Sequence, residues 1–115
     1  MKLLVAVFSL MLAFNVAAGA VVEGIGAYYS DVFQGKKTAS GELYDKNALT
    51  AAHKTLAFGT QVKVTNLDNG KSVTVVVNDR GPYTKDRIID LSRAAAEQID
   101  MIKLGIVPVR MEILD

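Results

Sequence analysis

The sequence predicts one small, mainly β domain closed into a barrel, and three observations carry that prediction. Val73, Thr74, Val75, Val76 and Val77 form a β-branched run that favours extended backbone. Residues 60–66 alternate, with Val62 and Val64 set for one face and Lys63 and Thr65 for the other, and Asn69-Gly70 between the two stretches is a strong hairpin signal. The chain of 115 residues holds no cysteine. A small core without disulfides gains from closure, which removes sheet edges and buries one face of every strand.

Taken in order, residues 1–20 stand apart from the domain. Lys2 supplies a positive start, residues 3–14 an apolar stretch too short to span a bilayer comfortably, and Ala18-Gly19-Ala20 a small-residue cleavage site. This is the pattern of a secretory signal peptide cut after Ala20, with an uncleaved anchor as the alternative. Residues 21–24 read as a lead-in and 25–29 as a first strand, with the Gly24/Gly26 pair at its start permitting close backbone approach. Residues 30–45 are poor in apolar side chains and read as a long loop, a feature usually tied to function. Residues 47–53 are ambiguous between helix and strand.

After the hairpin, the apolar run of residues 71–78 stops at Asn78-Asp79-Arg80-Gly81-Pro82, where glycine and proline call for a sharp turn. A second apolar run, Ile88-Ile89, also meets an acid, Asp90. Ser92 is a good N-cap for a short helix over residues 93–99. Residues 100–105 connect to a last strand over 106–113, with Val107, Val109, Met111 and Ile113 on one face and Pro108 confining its start to an edge or bend.

Charge narrows the partners. Lys plus Arg is 13 and Asp plus Glu 12 in the whole chain, and loss of Lys2 with the signal brings the net charge from +1 to zero. A nucleic-acid partner needs a clear basic excess, so none is expected. Without cysteine and with one histidine, neither a zinc site nor any other metal or cofactor is expected. Asp79 is the candidate for chemistry, because a carboxylate beside a valine run is set for a raised pKa and general acid work. The plainer alternative is a turn-capping Asp79 with Arg80 paired to Asp86 or Asp90.

The stretches TASGE (residues 38–42), TAAHKTLAFGT (50–60) and VNDRGP (77–82), with RIIDLSRAAAEQI (87–99) behind them, resemble the rare lipoprotein A (RlpA)-like family nearly throughout the mature chain. That resemblance implies a six-stranded double-psi β-barrel with one or two short helices, related in fold to expansins. It implies a lytic transglycosylase of peptidoglycan glycan strands, preferring strands without stem peptides, with Glu42, His53 and Asp79 lining the groove. The alternative is a non-catalytic, expansin-like polysaccharide-binding or wall-loosening module. With no cysteine after the signal, a lipid anchor is not expected, and the product is expected to be a monomer in the periplasm or outside the cell. Such cleavage needs a proton for the leaving oxygen while the muramic acid C6 hydroxyl attacks its own anomeric carbon, an intramolecular step. Asp79 is the expected acid, Glu42 orients sugar hydroxyls or shares a proton, and His53 holds a carboxylate. A hydrolase pairing Glu42 with Asp79 is a weaker alternative. Tyr28, Tyr29 and Tyr83 are candidates for stacking on sugar rings, with core packing as their other fate, and Arg80 for contacting a substrate carboxylate.

Overall fold

A computed structural model describes residues 18–114. The signal-peptide reading therefore lies outside the described residues except at its last three positions. There Gly19 donates to the Ile113 carbonyl at 2.6 Å and Ala20 accepts from the Ile113 amide at 2.9 Å, continuing the first strand's ladder.

Six strands close on themselves: β1 (Val21–Tyr28), β2 (Thr50–Ala52), β3 (Gln61–Asn66), β4 (Ser72–Asp79), β5 (Arg87–Leu91) and β6 (Val107–Ile113). Their order around the barrel is β1-β5-β2-β4-β3-β6. The β1/β5 and β2/β4 pairs are parallel and the remaining four antiparallel, so the crossed connections of a double-psi barrel are present. One short helix, α1 (Arg93–Gln98), and a 3-10 turn at Asp31–Phe33 complete the fold.

Alternation decides which side chains form the core. Val62 and Val64 of β3, Val73, Val75 and Val77 of β4, Ile89 and Leu91 of β5, and Val107, Val109, Met111 and Ile113 of β6 all point into the barrel and are buried. The β3–β4 turn is built as its sequence requires. Gly70 takes a left-handed φ of 79°, while Asn66 and Asn69 both donate their side-chain amides to the Ile99 carbonyl at 2.9 and 3.0 Å. That pair of bonds fastens the end of α1 to the hairpin. Ser92 caps α1 by accepting from the Ala95 amide at 3.3 Å and donates its own proton to the Ala48 carbonyl at 2.6 Å.

Two expectations change. The first strand begins at Val21 rather than residue 25, because pairing with β6 runs from Val21↔Glu112 onward. The ambiguous 47–53 stretch contributes a strand, since β2 sits between β4 and β5 and both neighbours supply ladder partners; tertiary pairing overrides the helical preference of its alanines. Close approach explains a glycine: a Cβ on Gly26 would lie 3.0 Å from Cγ1 of Val109.

Candidate active site

The site forms where β2, β4 and β5 end together. A register shift between Ala51 and Ala52 sets Ala52 opposite Asp79 on β4, and Ala52 also pairs with Asp90 on β5. Asp90 in turn pairs with Ala27 of β1. Cross-strand partners share a face, so Asp79, Ala52, Asp90 and Ala27 form one row, with the two carboxylates separated by a single small residue, Ala52.

Asp79 is held at both oxygens. Its Oδ1 accepts from the Ala39 amide at 2.8 Å and from its neighbour Arg80's amide at 2.9 Å; its Oδ2 accepts from the Tyr29 hydroxyl at 2.5 Å. Burial raises the Tyr29 pKa well above its ordinary value of 10.0, and the hydrogen bond to Asp79 and the charges of Asp79 and Asp90 add to the shift. Tyr29 therefore keeps its proton and acts as the donor. The Ala39 contact comes from the loop of residues 38–42, which docks on the end of β4 through a second bond, Ser40 amide to Asn78 carbonyl at 3.2 Å. Gly41 in that loop has φ 95°, a left-handed conformation that glycine adopts without a Cβ penalty.

Asp90 is the perturbed carboxyl group. Desolvation raises its pKa above the ordinary 3.8 and the Asp79 charge adds to the rise, while Arg87 opposes both. Two acids on one face with unequal environments are the arrangement from which proton donors are made.

The other predicted residues take varied places. The 38–42 loop brings Glu42 to the rim, where it is exposed; among the described residues its carboxylate makes no hydrogen bond or ion pair. His53 follows β2 directly, its amide bonded to the Asp79 carbonyl at 3.0 Å. Its ring does not hold a carboxylate as expected: Nδ1 accepts from the Thr55 and Leu56 amides at 3.1 and 3.0 Å. Burial lowers the His53 pKa from its ordinary 6.5, with Arg80 and Lys54 contributing, so the ring is neutral at pH 7 with its proton on Nε2.

Arg80 forms no ion pair with Asp86 or Asp90. Its Nη1 donates to the His53 and Leu56 carbonyls at 3.2 and 2.9 Å, and its guanidinium lies 4.1 Å from the centre of the Phe58 ring. Tyr28 is tied to the fold, its hydroxyl donating to the Ile102 carbonyl at 2.9 Å and its ring packed on the core. Tyr29 is stacked on buried Tyr44 with ring centres 4.3 Å apart and meets Phe33 edge-on at 5.9 Å, which suits positioning of Asp79 rather than an open platform. Tyr83, beyond the Gly81-Pro82 turn, is 81% exposed and presents a free ring. Among the described residues no cluster of three or more His, Cys, Asp or Glu is placed to hold a metal ion.

The sequence reading missed Asp90 as a principal group, along with Tyr44 and Phe58. The signal for Asp90 was present, an acid ending an apolar run, but the nearby arginine made an ion pair the simpler expectation.

The barrel belongs to a recognised class. Over residues 21–111 the chain matches the family described as lytic transglycolase, and it is a member of that double-psi β-barrel family. It is 59% identical over 99 residues to the endolytic peptidoglycan transglycosylase RlpA of Campylobacter jejuni, covering 86% of this chain and 36% of that protein. It is 52% identical over 98 residues to that of Pasteurella multocida, covering 85% of this chain and 33% of the relative. The chain thus spans about a third of the length of these relatives. Among solved structures, the Streptomyces papain inhibitor superposes with a TM-score of 0.72 at 23% identity, over 88% of this chain and all of that one. An expansin of Clavibacter michiganensis gives 0.65 at 22% identity, over 84% of this chain and 51% of the expansin. These two share the fold.

Proposed function

We propose that this protein is an endolytic peptidoglycan lytic transglycosylase that cleaves glycan strands, preferably those lacking stem peptides, to 1,6-anhydro-muramyl ends. The observation that carries the reading is the Asp79–Asp90 pair in one cross-strand row, with burial raising the Asp90 pKa above its ordinary 3.8. Asp90 delivers its proton to the glycosidic oxygen as the bond to the anomeric carbon breaks. Asp79, fixed by Tyr29 and two amides, faces the positive charge that develops on the sugar. The C6 hydroxyl then attacks the anomeric carbon and its proton returns to Asp90, so the acid is regenerated without a water nucleophile. Glu42 and the Nε2–H of His53 orient sugar hydroxyls at the rim, and Tyr83 offers a ring face to a sugar.

The protein is exported with its signal cut after Ala20 and works unacylated, as a monomer, in the periplasm or outside the cell. Intact-mass measurement of the exported product reads the cleavage and acylation directly. The function itself is tested by digesting purified peptidoglycan, with and without stem peptides, and weighing the fragments. Anhydro-muramyl ends are expected; reducing ends would mean hydrolysis, and tight binding with no new ends would leave a polysaccharide-binding module.

A further inference from the structure

Beside the acidic row lies a cation with an unusual setting. Arg80 is half-buried, and among the described residues no carboxylate lies within ion-pair distance of it. Its orientation is nevertheless fixed. One face rests on Phe58 at 4.1 Å, and both carbonyl contacts, to His53 and Leu56, are made by Nη1. The guanidinium carries five N–H groups in one plane. With Nη1 engaged, Nε and Nη2 remain, and these two nitrogens form the edge that meets a carboxylate through two parallel hydrogen bonds. Lys54 adds a second positive charge: after burial, the charges of Arg80 and Lys54 both help to lower the His53 pKa. Asp79 and Asp90 thus share one row, while Arg80 and Lys54 set positive charge near His53. Phe58 itself is 42% exposed, so the stacked pair is open to solvent.

We propose that the free edge of Arg80, stacked on Phe58 and backed by Lys54, seats a carboxylate carried by the glycan beside the scissile bond, so that this wall selects acidic over uncharged glycans. The inference rests on the glycan-cleaving reading above and adds the chemical group that is recognised. Two parts of peptidoglycan carry such a group: the lactyl ether of a muramic acid without a peptide, and the stem peptide itself. A fork orients the carboxylate as well as attracting it, so binding places the muramic ring in register with Asp79 and Asp90. Arg80 is thus a specificity-determining residue and takes no part in proton transfer.

The test measures binding and cleavage by the full exported protein on four probes: peptide-free glycan strands, the same strands with lactyl carboxyls converted to methylamides, strands with stem peptides, and neutral chitin oligosaccharides. Wild type is expected to prefer peptide-free strands over their methylamides and over chitin by about ten- to hundredfold, the worth of a charge-assisted hydrogen-bonded pair. That preference should weaken as salt is raised. Arg80→Gln should bring the ratio close to one, and Arg80→Lys should keep part of it, because lysine retains the charge and loses the fork. A stronger preference for strands with stem peptides, abolished by Arg80→Gln, would assign the carboxylate to the peptide. If wild type treats carboxylate and methylamide strands alike, or if Arg80→Gln weakens both equally, Arg80 is only a brace for the 53–58 loop and the inference fails. The wild-type comparison needs no variant to fold. A charge preference that depends on Arg80 but comes without any cleavage would sink the transglycosylase reading and leave this one standing.

Discussion

Replacing Tyr29 by Phe removes one atom from the site and leaves the packing around it in place. The ring keeps its stack on Tyr44 at 4.3 Å and its edge contact with Phe33 at 5.9 Å. What disappears is the 2.5 Å hydrogen bond to Oδ2 of Asp79, leaving that carboxylate with two amide donors, both on Oδ1. Hydrogen bonds to charged groups contribute about 1.5–3 kcal/mol. Asp79 is half-exposed, so water replaces the lost donor in the resting protein and stability should fall by no more than about 1 kcal/mol. In the transition state Asp79 must be oriented as well as solvated. If most of the bond's worth is realised there, the rate falls about ten- to hundredfold, at 1.36 kcal/mol per factor of ten. The assay is the initial rate of new-end formation on peptide-free glycan, with a thermal melt as control. A rate within about twofold of wild type, with the fold intact, would refute the positioning role of Tyr29.

Asp90→Asn should lower turnover by about 10²–10⁴-fold. The same change should raise the melting temperature at pH 7. The folded pKa of Asp90 lies above its unfolded value, so the native state binds more protons between the two and stability falls as pH rises through that window. Asn removes that penalty, and at pH 3 the two proteins should melt alike. His53 acts in the opposite sense: its folded pKa is lowered, the unfolded chain binds more protons below about 6.5, and stability falls as pH drops from there. Urea midpoints between pH 7.5 and 5 should therefore fall less for His53→Asn, whose side-chain oxygen can still accept from the Thr55 and Leu56 amides. Gly26→Ala forces a methyl to 3.0 Å from Val109 and should cost about 1–3 kcal/mol of stability, seen as a lower denaturation midpoint with no change in the site.

Much of the barrel was readable because alternation is a local signal. Residues 60–66 and 106–113 each state which side chains go inward, and Asn69-Gly70 states where the chain turns. What could not be read locally was β2, three residues long, whose strand character comes from neighbours that are distant in sequence. The same limit governs the site. Motif resemblance brought Asp79, Glu42 and His53 together, and the fold does gather their backbones at one end of the barrel. The strand register that sets Asp90 level with Asp79 depends on an irregularity at Ala51/Ala52 that no pattern announces. Sequence leaves Tyr29 open between stacking on sugar and packing, because it does not reveal Tyr44 beneath the ring. Of the two readings for Arg80, the internal pair with Asp86 or Asp90 does not form; two backbone carbonyls and an aromatic ring hold the guanidinium instead, through Nη1 and one face.

A proton donor to the glycosidic oxygen must hold its proton to a higher pH than an ordinary aspartate, and Asp90 is the carboxyl group that burial shifts in that direction. Carboxyl carbon NMR titration of the exported protein measures that shift directly. Asp90 should titrate above the ordinary aspartate value of 3.8, and in Asp79→Asn its midpoint should move down part of the way, since the Asp79 charge is the lesser of the two causes that raise it. An Asp90 that titrates at or below 3.8 in the wild type would contradict the account.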